Sequence, residues 1–242
     1  MQNFPLNLLL SVSFENAFNF AYVFKSIITR WYLYLLLLAV IIGVVLFAVL
    51  VKQPKRNTLS KTQKLVYTAI FSALCFVTNC FTIPFSQVWQ ASLVALVGFV
   101  AGYMLGAGWA FAAAFIGDLI GAIVMPTGAY NPIINVGTAM WGLIPGVIYT
   151  LFGKKGNDYL KCFISFVLGF VINSFLINSW GISLMYSISF DKLMVTLPFK
   201  LATVGVNFAL ALVMVAVLPR ILPKDKFNFV KKKEKQVEEN QQ

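Results

Sequence analysis

From residue 31 onward, long apolar runs alternate with short polar ones. Seven such runs stand out, at 32–51, 65–83, 91–105, 107–125, 133–152, 162–186 and 199–222. Most reach or approach the ~18 residues that a helix needs to cross a bilayer, and strand-like alternation is nowhere sustained, so the pattern predicts a helical bundle rather than a barrel. The expected fold class is an all-α integral membrane protein: a six-helix bundle over 65–222, preceded by one extra transmembrane helix at 31–51. Residues 1–30 fit neither pattern. Their Leu- and Phe-rich stretch is interrupted by Asn7, Glu15, Asn16 and Asn19 and follows no basic region, which predicts an interfacial or loosely ordered segment rather than a signal peptide.

Composition places the protein in lipid. Hydrophobic residues make up 60% of the chain and charged ones 11%, with a mean hydropathy of +0.82, against roughly 25% charged residues in soluble domains. The net charge of +11 would suit a nucleic-acid partner if it formed a patch. Instead the lysines fall between spans: the linker 52–64 carries Lys52, Lys55, Arg56, Lys61 and Lys64 with no acid, residues 153–161 are net positive, and the tail 223–242 is rich in lysine. The loops at 82–90 and 126–132 carry no charge. The positive-inside rule then makes the basic segments cytoplasmic, the C-terminus included, in a multi-pass protein of the cell membrane with no role for nucleic acid.

Small residues recur at helical spacing. Gly98, Gly102 and Gly106, then Ala113, Gly117 and Gly121, then Gly142 and Gly146 would let helix backbones approach closely in lipid. Ala69 and Ala73 form a further pair, which suits either internal packing or docking of another membrane subunit.

Candidate chemistry clusters between Gly117 and Trp141. Ionisable side chains inside spans are costly and mark functional sites; Asp118 is one, and no basic residue shares its helix. It either braces the turn at 126–132 or meets a ligand. Lys200, at the start of the last span, either anchors at the interface or meets a ligand carboxylate. Gln87, Trp89, Tyr130, Asn131, Asn135, Thr138 and Trp141 add the directional polar and flat aromatic groups of a small-molecule pocket.

Other functions lack their residues. The chain has no histidine, and Cys75, Cys80 and Cys162 show no Cys-x-x-Cys spacing, so no metal site is expected. Residues 153–156 have neither the length nor the hydroxyl of a phosphate-binding loop, and no acid-base groups converge, so the chain reads as a transport subunit without its own ATPase motif, not an enzyme, and needs no cofactor. An autonomous secondary carrier, the less favoured reading, would show a polar stripe through the whole bilayer or internal repeats.

Gly117, Asp118, Gly121, Ala122, Pro126, Gly128, Tyr130 and Pro132 follow a Gly-Asp-x-x-Gly-Ala-x-x-x-Pro-x-Gly-x-Tyr-x-Pro pattern. In this, residues from about 62 to 222 resemble the substrate-binding S components of energy-coupling factor (ECF) vitamin transporters, above all the folate family. After Pro132 the chain reads Ile133-Ile134-Asn135, where that family continues Gly-Phe-Thr. The resemblance implies capture of folate, a related pteridine, or another vitamin or small heterocycle at the outer face. Delivery would run through a transmembrane coupling subunit, docked at Ala69 and Ala73, and two cytoplasmic ATPase subunits. It further implies ring contacts at Trp89, Tyr130 and Trp141, hydrogen bonds from Asn135 and Thr138, and a carboxylate at Lys200.

Overall fold

The computed structural model describes residues 59–86, 89–124, 130–153, 156–186 and 193–222, together with positions 31, 32, 35, 39, 42 and 43. The expectations for 1–30, for most of 31–58 and for the tail lie outside the described residues. Helix α1 (Lys61–Cys80) leads into a short ribbon of β1 (Ile83–Ser86) and β2 (Trp89–Ala91). Then come α2 (Val94–Leu105), α3 (Ala107–Val124), α4 (Pro132–Phe152), α5 (Asp158–Gly169), a π-helical stretch (Phe170–Ile177), α6 (Asn178–Tyr186) and α7 (Leu197–Ile221).

Local sequence accounts for most of the boundaries. Ser60 and Gln63 form a reciprocal capping box that starts α1. Asn131 caps α4 with Pro132 in its first turn, where a missing N–H costs nothing. Gly106, at φ 88°, ends α2 and turns the chain directly into α3. At the basic end of the bundle, Lys161 ties the α4–α5 connection together. Its ammonium donates to Asp158 Oδ1 at 2.8 Å and to Gly153 O at 3.0 Å, while the Tyr149 hydroxyl donates to Asp158 O.

The glycine series place the helices. Helix α4 is central, and a Cβ on Gly98 would meet the Trp141 backbone at 3.0 Å, one on Gly142 would meet Ala110 O at 2.5 Å, and one on Gly117 would meet Cys75 Cβ and Ser72 O at 2.5 Å. The three expected small-residue stripes therefore pack α2 on α4, α4 on α3, and α3 on α1. Between them Phe99, Tyr103, Trp141, Tyr149 and Phe166 fill the core. Ala69 and Ala73 take no part: with Leu65, Val66, Ile70, Leu74 and Val77 they form the exposed face of α1.

Two features depart from six uniform spans. Among the described residues, four helical stretches are long and apolar enough to cross a membrane: α3, α4, the continuous 158–183 stretch, and α7. Helix α2 is not among them; its 12 residues extend about 18 Å against a hydrocarbon core of about 30 Å. The reason is that the residues before it pair as an antiparallel ribbon, Ile83 opposite Ala91 and Ser86 opposite Trp89. The second departure is the π register of 170–177, which lies inside what reads as one uninterrupted helix.

Candidate functional site

The end of the bundle away from the basic loops holds two polar groups of residues. The first lies between α1, α3 and α4. Gly121 carries no side chain that would push Asn79 away, and Asn79 Nδ2 donates to Asp118 Oδ1 at 2.7 Å. From α4, the Thr138 hydroxyl donates to Ile134 O at 3.2 Å and also faces the Asp118 carboxylate. Asn135 lies one turn away on the same face of α4. It is 1% exposed, and neither its Oδ1 nor its Nδ2 has a hydrogen-bond partner among the described residues. Buried amides are almost always paired, so this one is poised for a group the bundle itself does not supply.

The second group joins the π-helical stretch, α6 and α7. Lys200, in the first turn of α7, is buried, with Nζ 3.4 Å from Ser174 O and 3.3 Å from Ser179 Oγ. Both partners are neutral. Among the described residues the one ion pair is Lys161–Asp158, so neither Lys200 nor Asp118 has an opposite charge beside it. A lysine that merely anchored at the interface would reach into water; this one turns inward.

The remaining expected site residues divide. Asn131 is buried and fastens α4 to α6, its Nδ2 donating to Gly181 O at 2.9 Å while its Oδ1 caps Ile133 N. Trp141 sits deeper, in the core, with its ring against Phe166 and over Gly169, where a side chain would displace it. Tyr130 is half-buried just before the α4 cap. Trp89 opens β2, and Gln87 falls outside the described residues. The structure thus gathers Asp118, Asn135 and Thr138 into one group and sets Lys200 in another.

Two features escaped the reading of the sequence. Asn207, buried in the middle of α7, accepts from Leu96 N at 3.0 Å and donates to Ser92 O at 3.0 Å and Thr203 O at 2.9 Å. It ties the start of the short helix α2 to α7, accepting from one of the N–H groups in the first turn of α2, which also reaches Leu93 O. A lone amide in an otherwise apolar span was the available signal. The pairing of Asn173 with Asn178 along the π-helical stretch had none, because the register that aligns them is not written in the apolar pattern.

Comparison with known proteins agrees with this architecture. Among curated proteins none matches. Seven solved chains do, among them a crystal structure of FolT bound with folic acid, at 19% identity and a TM-score of 0.55, covering 65% of this chain and 94% of that one. At that identity the likeness speaks for the fold. The family model of the ECF transporter, substrate-specific component, matches residues 63–229, most of the chain and all of the bundle. This membrane protein therefore belongs to the family of ECF transporter substrate-specific components.

Proposed function

We propose that the chain captures a folate-like vitamin at the hairpin end of the bundle and hands it to an ATP-driven coupling module. The observation that carries this reading is Asn135, a buried amide whose two polar atoms have no hydrogen-bond partner among the described residues, near the Asp118–Asn79–Thr138 group. Together these offer donors and acceptors at fixed positions, which is what recognition of a nitrogen heterocycle requires. Folic acid, the ligand of the structurally similar FolT, has such a ring at one end and carboxylates at the other. In this reading Asn135, Thr138 and Asp118 take the ring, Tyr130 and Trp89 flank it, Trp141 backs the pocket from the core, Asn131 fixes the start of α4 against α6, and Gln87 is a further contact. Lys200 meets a carboxylate.

Delivery follows from the outward face of α1. Ala69 and Ala73 leave a shallow strip between Leu65, Val66, Ile70 and Leu74, all exposed, and small residues on a lipid-facing helix favour close helix contact. A transmembrane coupling subunit docks there, and two cytoplasmic ATPase subunits drive transport. The basic segments 52–64, 153–161 and 223–242 support a cytoplasmic C-terminus in this reading, by the positive-inside rule.

The test is mass spectrometry of small molecules released from the detergent-purified chain, followed by calorimetric titration with folates. Release of a folate and saturable binding are expected. Release of a different vitamin would replace the substrate and keep the transport role, and an empty protein that binds no vitamin would overturn the reading.

A further inference from the structure

The π-helical stretch leaves over polar groups that internal hydrogen bonding does not use. The i→i+5 bonding of this register brings residues five apart close together: the Asn178 backbone N–H donates to Asn173 O, and the Ser179 hydroxyl donates to Ser174 O at 3.2 Å. The amide oxygens of Asn173 and Asn178 both project into the space that a Cβ on Gly137 would fill. Neither has a hydrogen-bond partner among the described residues, and Asn173 is 2% exposed. The neighbouring pair, Ser174 and Ser179, receives Lys200. Its ammonium has three donors, yet its contacts with Ser174 O and Ser179 Oγ, at 3.4 and 3.3 Å, are long beside the roughly 2.8 Å of a charge-assisted bond.

Among the described residues, acceptors without donors and a cation without an anion thus occupy adjacent positions along one segment. A metal ion would suit the amide oxygens alone, but the charge of Lys200 at the adjacent pair opposes it. A ligand group that completes both pairs is a carboxylate with an N–H on the adjacent carbon. We infer that Lys200, Ser179, Asn173 and Asn178 form a subsite for the acylamino-carboxylate end of the ligand. Lys200 Nζ and the Ser179 hydroxyl donate to the carboxylate, and the two asparagine oxygens accept from the N–H. Gly137 keeps the space between α4 and the π-helical stretch open for them. This rests on the substrate-capture reading and narrows it to ligands that carry such an end.

The test compares folate, pteroate, which has the same ring system without the amino-acid end, and hippurate, the bare acylamino carboxylate, on the full purified chain by calorimetry. The wild-type chain is expected to prefer folate over pteroate by about tenfold to a hundredfold, the worth of one or two hydrogen bonds to charged groups. In Lys200→Met, and in the double variant Asn173→Ala with Asn178→Ala, that preference disappears while pteroate affinity stays. Folate binding with no preference over pteroate, or a preference that survives in Lys200→Met, overturns the subsite and leaves vitamin capture standing. If neither pterin binds, capture of a folate-like vitamin fails, and hippurate decides for the subsite alone. A rise in the wild-type unfolding temperature that Lys200→Met lacks supports it, and no rise overturns it. Where a variant does not fold, the wild-type comparison of folate, pteroate and hippurate still decides.

Discussion

Single polar side chains carry much of the specificity of this bundle, because an unpaired amide in lipid cannot turn to water. Asn207 bonds two backbone groups at the start of α2, Leu96 N and Ser92 O, and one on its own helix, Thr203 O. Replacing it with leucine removes these bonds, at about 1–3 kcal/mol for an unsatisfied buried group, and a lower thermal-unfolding midpoint in detergent is the expected readout. Asp118 invites a paired comparison. Asp118→Leu leaves Asn79 Nδ2 without its acceptor and is expected to cost about 1–3 kcal/mol, whereas Asp118→Asn keeps an oxygen in place and most of the stability; equal losses would mean that the Asn79 bond contributes nothing. At this scale the sequence was informative wherever a polar residue interrupted an apolar run with a turn nearby, as at Asp118, Asn131, Asn135 and Thr138. It was silent about partners: nothing in the spacing says that Asn207 reaches across to Leu96 and Ser92, or that Lys200 turns to Ser174 and Ser179.

Helices are legible from apolar runs, and their registers are not. The boundaries of α3, α4 and α7 fall within a few residues of the runs that predict them, since length and hydropathy suffice there. The shortness of α2 is invisible in the run 91–105, because an apolar ribbon and an apolar helix share one composition and only the pairing of Ile83 with Ala91 separates them. The π register of 170–177 is hidden for the same reason. Glycine spacing was the most reliable guide, as each stripe meets a neighbouring backbone. A Cβ on Gly117 would meet Cys75 and Ser72 at 2.5 Å, so Gly117→Val should separate α3 from α1, cost about 1–3 kcal/mol by overpacking and lower the unfolding midpoint. The face of α1 that meets no other described residue yields the opposite expectation. Ala69→Leu should leave folate affinity and the unfolding midpoint unchanged while abolishing uptake by the assembled transporter; unchanged uptake would remove this face from docking.

For the whole molecule, the uneven distribution of charge is the feature that sets its place in the membrane. In the sequence the basic segments adjoin the start of α1, the α4–α5 connection and the end of α7, and Gly156 lies in one of them, exposed at a φ of 84°. A cysteine placed there is expected to react with a membrane-impermeant maleimide only from the cytoplasmic side, and labelling from outside would invert the proposed topology. Around the α2–α3 turn, Gly102, Gly142 and Gly146 bring α2, α3 and α4 together, with Ala107 and Ala110 facing them. The opposite end is joined through amides, hydroxyls and a two-stranded ribbon. At the α2–α3 turn backbone packs directly on backbone, which leaves little width for a file of water between those three helices. A planar bilayer holding this chain alone is therefore expected to be electrically silent, with or without folate on either side; a steady current would mean a path through the chain itself and overturn the proposed delivery by movement against a partner.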